Sequence, residues 1–172
     1  MKTARQYLTA IPRKIWRTAW TLKVRSTAKS CGVHLVVNGP SRVTRNTTLG
    51  DNVNFNGLEV VGGGEVHIGN NFHSGSGCLL ICQNHNYDNG QSIPYDATYV
   101  YKDILIEDQV WLGSRVTILG GVTIGEGAII QAGSVVVSDI PKYGIAGGNP
   151  AKVFKYRNNE HYERLKAEKR FF

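Results

Sequence analysis

Residues Ile106–Pro141 read, in sixes, IEDQVW, LGSRVT, ILGGVT, IGEGAI, IQAGSV, VVSDIP. The first place of each hexad is Ile106, Leu112, Ile118, Ile124, Ile130 and Val136, aliphatic throughout. The fifth is Val110, Val116, Val122, Ala128, Ser134 and Ile140, small or β-branched throughout. A flat strand repeats every second residue and an α-helix about every 3.6, so neither accounts for this spacing. Six residues make one short strand and a corner. Three such strands close a triangular turn of about 18 residues whose neighbours pair in parallel and stack their inward side chains into a continuous core. Gly113, Gly121, Gly125, Gly127 and Gly133 fall between the apolar places, where corners need backbone freedom.

Working outward, an earlier set falls on the same period: Val37, Val43, Leu49 and Phe55, with Ser41, Thr47 and Val53 as small partners. The register slips near Gly62-Gly63-Gly64 and resumes at Ile68, Ser74 and Leu80, with Phe72 and Cys78 as partners. The expected fold is an all-β repeat, a parallel β-helix with a short N-terminal helical arm and a C-terminal helix. Its expected segments are a basic amphipathic arm over 1–32, the coil over 33–155 and the C-terminal helix over 156–172. From about 82 to 103 the repeat stops. That polar, turn-rich excursion carries His, Asn, Asp and four Tyr, and a loop of such length thrown from a compact coil usually has a function.

Charge separates the arm from the body. The net charge is +7, but Lys2, Arg5, Arg13, Lys14, Arg17, Lys23, Arg25 and Lys29 lie in the first thirty residues with no acid among them. The remainder is nearly neutral, which argues against nucleic acid as a partner of the body. In the arm, Ile15, Ala19 and Leu22 share one helical face, with Trp16 and Trp20 beside them. Such a helix either closes the open end of the coil, which a solenoid needs, or rests on an anionic membrane through residues 1–30. Three cysteines make no disulfide framework, and with no signal-like or spanning segment they suit a cytoplasmic protein, peripheral at the inner membrane face if the arm meets lipid. His67 and His85 lie 18 residues apart, but two histidines without a third are thin support for zinc, and no metal is expected.

His85, among Asn84, Asn86 and Asp88 in the extruded loop, has the setting of a general base, since imidazole titrates near neutrality. His34, His67, His73 and His161 lie in the coil or tail.

VWLGSRVTILGGVTIGEGAIIQAGSVVVSDIP followed by GIAGGNPAKV resembles the hexapeptide-repeat acyltransferases, nearest the galactoside, maltose and polysaccharide O-acetyltransferases. The likeness covers about Ile68 to Tyr156. It implies a left-handed coil, a homotrimer, and acetyl-CoA bound along a groove between coils. It further implies direct acetyl transfer to a saccharide hydroxyl in surface polysaccharide synthesis. Carried over by residue, His85 matches the catalytic base and the Ser114 N–H the donor facing the tetrahedral oxyanion. Trp111 matches an aromatic wall of the pantetheine and acceptor pocket, or simply packs the rim. Gly113, Ala132 and Gly133 match the corner that pantetheine lies along, and Lys152 and Lys155 the cations near the CoA phosphates. Asn84, Tyr87 and Asp88 are the expected acceptor contacts, with Asn84 or Asp88 orienting His85. Val137-Ser138 departs from the Thr-Lys common in the family. Amino-sugar N-acetylation and a non-catalytic scaffold are the competing readings; a metal-dependent hydratase and serine acetylation rank below them.

Overall fold

The computed structural model describes residues 13–172, so the first twelve residues of the arm, Lys2 and Arg5 among them, lie outside the described residues. The chain winds into a left-handed parallel β-helix of about six turns with a helix at each end. Three faces build the prism. Face 1 stacks Ser30–Cys31, Thr47–Leu49, Val66–Ile68, Ile104–Ile106 and Thr123–Ile124. Face 2 stacks Val36–Val37, Asn54–Phe55, His73–Ser74, Trp111–Leu112, Ile129–Ile130 and Gly144–Gly148, and ends on Ala151–Tyr156. Face 3 stacks Leu58–Val61, Cys78–Ile81, Thr117–Leu119 and Val135–Val136.

The hexad places point inward. Ile106, Leu112, Ile118, Ile124, Ile130 and Val136 are all fully buried, and every fifth-place residue from Val110 to Ile140 is buried beside them. Register does the rest: Leu80, Ile118 and Val136 lie directly over one another, as do Ile68, Ile106 and Ile124. Burying one such aliphatic side chain contributes about 1.5–3 kcal/mol, so each rung strengthens the next.

Two of the corners turn on a single residue with positive φ. Asn52, Asn71, Gln109 and Gly127 form one such column between faces 1 and 2, tied by Asn71 N–H to Asp51 O, Gln109 N–H to Asn70 O and Gly127 N–H to Asp108 O. Gly77, Arg115 and Gly133 form the second, between faces 2 and 3. The third corner, between faces 3 and 1, is where the long excursion leaves and returns. There the Tyr101 ring packs over Gly63, and a Cβ at that position would come 2.6 Å from it and displace it.

The register slip has a simple form. Val60, not residue 61, takes the inward place over Leu80, and the wider Gly62–Gly64 corner restores the frame at Val66 and Ile68. The excursion is more ordered than a polar loop: Gln83–His85 and Tyr99–Tyr101 pair antiparallel, with Tyr99 opposite His85.

Both ends are closed. Helix α1, Arg13–Thr27, lies against the first rung, burying Val24, while the Thr21 hydroxyl accepts the Val37 N–H at 3.0 Å. At the far end Ala151–Tyr156 returns antiparallel on Gly144–Gly148. Helix α2, Asn159–Ala167, is capped by the Asn158 side chain, which accepts the His161 N–H. It docks through Glu126, which meets Lys166, Lys142 and the Tyr162 hydroxyl. Cys78 and Cys82 are buried with their thiols pushed up, chiefly by desolvation, and no cysteine is paired.

Candidate active site

Two groups of the expected residues sit on two different edges of the prism. The first is the corner between faces 2 and 3. Trp111 and Leu112 end a rung of face 2, Gly113 and Ser114 make the turn, and Ala132 and Gly133 make the same turn one coil on. The stacking is close because the side chains are small. A Cβ on Gly113 would come 2.5 Å from the Ala132 nitrogen, and one on Gly75 2.5 Å from that of Ser114. Around Gly133 the reverse holds: its φ is +74° and a Cβ there would meet nothing within 4 Å.

Among the described residues, the N–H groups of Ser114 and Ala132 have no hydrogen-bond acceptor. The Ser114 hydroxyl is engaged locally, accepting the Ser76 N–H at 3.2 Å. This corner therefore offers two free backbone donors beside an unobstructed glycine, a strip along which an amide-bearing chain can lie against the main chain. Lys152 and Lys155 both project from the terminal antiparallel strand and are exposed, with Lys152 opposite Gly147 and Lys155 opposite Ile145.

Trp111 is half exposed and lies between His73 and Ile129 on face 2. It walls a cleft of about 450 Å³ shared with Arg157 before α2, Tyr162 within it and Phe172 after it. Phe172 lies over His73 with ring centroids 5.7 Å apart.

The second group stands on the hairpin at the edge between faces 3 and 1. His85 is stacked face to face on Tyr95 at 3.8 Å and lies 4.7 Å from Tyr99. Its Nδ1 is buried without a hydrogen-bond partner. A buried, unsatisfied ring nitrogen is costly and is tolerated where a ligand or another chain completes it. Asn84 is exposed opposite Val100, and Tyr87 and Asp88 are exposed beyond it. The residues against the imidazole are thus two tyrosines and not Asn84 or Asp88, the candidates from sequence. Tyr99 was within reach of sequence reasoning once the loop is folded as a hairpin. Tyr95 was not, because only the tip's path brings it back.

Asp96 organises that tip. Its carboxylate accepts the Thr98 hydroxyl, the Thr98 N–H and the Gln91 N–H, which hold it below the usual carboxylate range. Asn86 bonds Thr98 and accepts the Asn89 N–H. Among the described residues no group of three or more His, Cys, Asp or Glu is placed to hold a metal, His67 lying on the outer row of face 1 and His85 on the hairpin.

Inward aliphatic columns, single-residue corners and bare backbone at one edge define a hexapeptide-repeat protein. Residues 103–138 match the family model for the bacterial transferase hexapeptide, six repeats, and the chain stands among the hexapeptide-repeat acetyltransferases in fold. A hexapeptide-repeat acetyltransferase of Vibrio cholerae superposes with a TM-score of 0.69 at 25% identity, covering 88% of this chain and 85% of that one. A maltose O-acetyltransferase of Clostridium difficile gives 0.61 at 28% identity, over 76% of this chain and 68% of that one. In sequence, a chloramphenicol acetyltransferase of Klebsiella aerogenes is 36% identical over 106 residues, 52% of this chain and 50% of that protein. The chain spans about half or less of the length of the curated relatives it matches.

Proposed function

We propose that the protein is an acetyl-CoA-dependent O-acetyltransferase acting on a sugar hydroxyl of a surface polysaccharide or its precursor. The observation that carries this reading is the pairing of a hairpin-borne His85 with a corner whose Ser114 and Ala132 N–H groups are free. Support comes also from solved relatives: a form of the Vibrio cholerae protein is complexed with acetyl-CoA, and a galactoside acetyltransferase, 26% identical, is complexed with CoA.

In this reading the thioester's pantetheine arm lies along Ala132 and Gly133, with Gly113 small enough to keep the coils in contact. Lys152 and Lys155 meet the phosphates as charge-assisted donors. The His85 imidazole takes the proton of the acceptor hydroxyl as its oxygen forms a bond to the acyl carbon. The Ser114 N–H stabilises the oxyanion, the C–S bond breaks, and the proton passes to the departing thiolate. Asn84, Tyr87 and Asp88 stand where an acceptor approaching His85 would meet them.

Hairpin and bare corner leave the prism on different edges, separated by the width of face 3, roughly 20 Å for six extended residues. A site needing both is therefore completed between copies, with the hairpin of one chain reaching the corner of the next, in the proposed homotrimer.

His85→Ala is expected to lose about 10²–10⁴-fold in acetyl transfer, the range of general-base catalysis, while isothermal titration still registers acetyl-CoA. Mixed oligomers of His85→Ala and Gly133→Trp should regain part of the activity that each lacks alone. Undiminished turnover in His85→Ala removes the histidine from the mechanism. An absence of acetyl-CoA binding by the parent protein would return the coil to a scaffold.

A further inference from the structure

Helix α1 shows the coil one side and solvent another, and the solvent side is the wrong one for a helix whose only task is to close a solenoid. Val24 is buried, Trp20 packs on the core, and Thr21 bonds the first rung; these fall on one line of the helix. The opposite line carries Ile15, Ala19 and Leu22, with Ile15 58% and Leu22 61% exposed. Cations border this row, Lys14 and Arg25 on one side and Lys23 on the other. Trp16 stacks on Trp20 at 6.2 Å yet stays half exposed, and the Lys23 ammonium lies 4.8 Å from the Trp20 ring.

On the coil-facing side of the helix, against Asn38, Gly39 and Pro40, a cleft of about 810 Å³ gathers Arg13, Lys14 and Arg17 around Trp16 and Trp20. No acid occurs anywhere in the first thirty residues. An exposed apolar row bordered by cations has the composition of a helix lying in a lipid interface.

We propose that α1 seats the protein on an anionic lipid bilayer, with Ile15, Ala19 and Leu22 among the acyl chains and the surrounding Lys and Arg at the headgroups. Uniform positive charge favours lipid over a second copy of the same helix, whose cations would face these ones. The apolar row favours it over nucleic acid, which rewards charge and leaves Ile15 and Leu22 in water. The attachment is peripheral, since among the described residues no helix is long and apolar enough to cross a membrane. It is independent of the transferase reading.

The test is cosedimentation of the full chain with phosphatidylcholine vesicles, with and without phosphatidylglycerol. The parent should bind the anionic vesicles with a blue shift in tryptophan emission, and bind neutral ones weakly. Ile15→Gln combined with Leu22→Gln, which leaves the charge unchanged, should weaken binding about ten-fold or more, from the apolar area withdrawn. Lys14→Gln and Lys23→Gln should each weaken it about five-fold. Circular dichroism and the melting temperature establish that the variants are folded. Equal binding to neutral and anionic vesicles overturns the proposal. So does undiminished binding by the Ile15→Gln, Leu22→Gln chain, which would reduce the attraction to charge alone. Loss of oligomerisation in that variant with vesicle binding intact assigns the row to a protein contact instead.

Discussion

The imidazole of His85 lies flat on the ring of Tyr95, centroids 3.8 Å apart and planes 16° from parallel, while Tyr99 approaches at 4.7 Å. A ring so held cannot swing freely about its side-chain torsions. In the proposed reaction Tyr95 is the residue that positions the imidazole. Such a stack contributes about 0.5–1.5 kcal/mol. Tyr95→Ala is expected to lower kcat up to about ten-fold and to leave acetyl-CoA affinity unchanged. Tyr95→Phe, which keeps the ring, should restore the rate. An equal loss in both variants would show that the hydroxyl matters and the stack does not.

The corner column of Gly77, Arg115 and Gly133 supports a paired prediction. Arg115 adopts φ 59°, a region that costs an L side chain about 1–2 kcal/mol. Arg115→Gly should therefore raise the melting temperature by a few degrees. Gly133→Ala should lower it by a similar amount and also raise the KM for acetyl-CoA, because the new methyl stands on the strip assigned to pantetheine. Thermal melts beside steady-state kinetics separate the two effects. A stabilised Gly133→Ala would contradict the account of the corner.

Ser74 takes an inward place between Asn54–Phe55 and Leu112 but its hydroxyl is buried with no hydrogen-bond partner. Leaving a buried hydroxyl unsatisfied costs about 1–3 kcal/mol. Ser74→Ala removes that penalty with little change in volume, so its melting temperature should rise by roughly 2–4 °C per kcal/mol gained. Calorimetry that finds the variant less stable would mean the hydroxyl is bonded in solution.

Glu126 ties α2 to the coil. Burial acts to raise its pKa, but Lys166, Lys142 and the Tyr162 hydroxyl together outweigh burial and hold the carboxyl below its ordinary 4.5. The folded value is depressed, so the stabilisation is complete above the unfolded value and is lost as pH falls through the lower folded one. Acidification from 4.5 down through that lower folded value should therefore loosen α2. Limited proteolysis within Asn159–Ala167 should rise there in the parent chain, and at neutral pH in Glu126→Gln. Equal protection of parent and variant at neutral pH would show that α2 is held by Tyr162 packing instead.

The coil was legible because its physics is local and repeated. Each inward place from Val37 to Ile140 must be apolar or small, so the period survives in the sequence even where Ser74 or Thr47 substitutes. The slip at Gly62–Gly64 was visible, but its form was not, since a wider corner changes which of two adjacent valines points inward. At the candidate site, the corner's form was legible as small residues at fixed places in the repeat, with a Cβ on Gly113 2.5 Å from the Ala132 nitrogen. The surroundings of His85 were not. Tyr95 reaches it only through a hairpin tip held by Asp96, and contacts set by an irregular loop leave no period to read. The outward row of α1 was visible as Ile15, Ala19 and Leu22, but which side met the coil depended on Thr21 finding Val37.

A stack of identical rungs contains no instruction about its own length, and a bare rung is a template for another. On face 2 the Thr21 hydroxyl occupies the first rung's Val37 N–H, while the last parallel strand is covered by the reversed Ala151–Tyr156. A neighbouring molecule arriving end-on along that face finds no matching edge at either terminus. On that face the repeat is bounded at both ends, and further rungs of the same kind have no parallel edge to join.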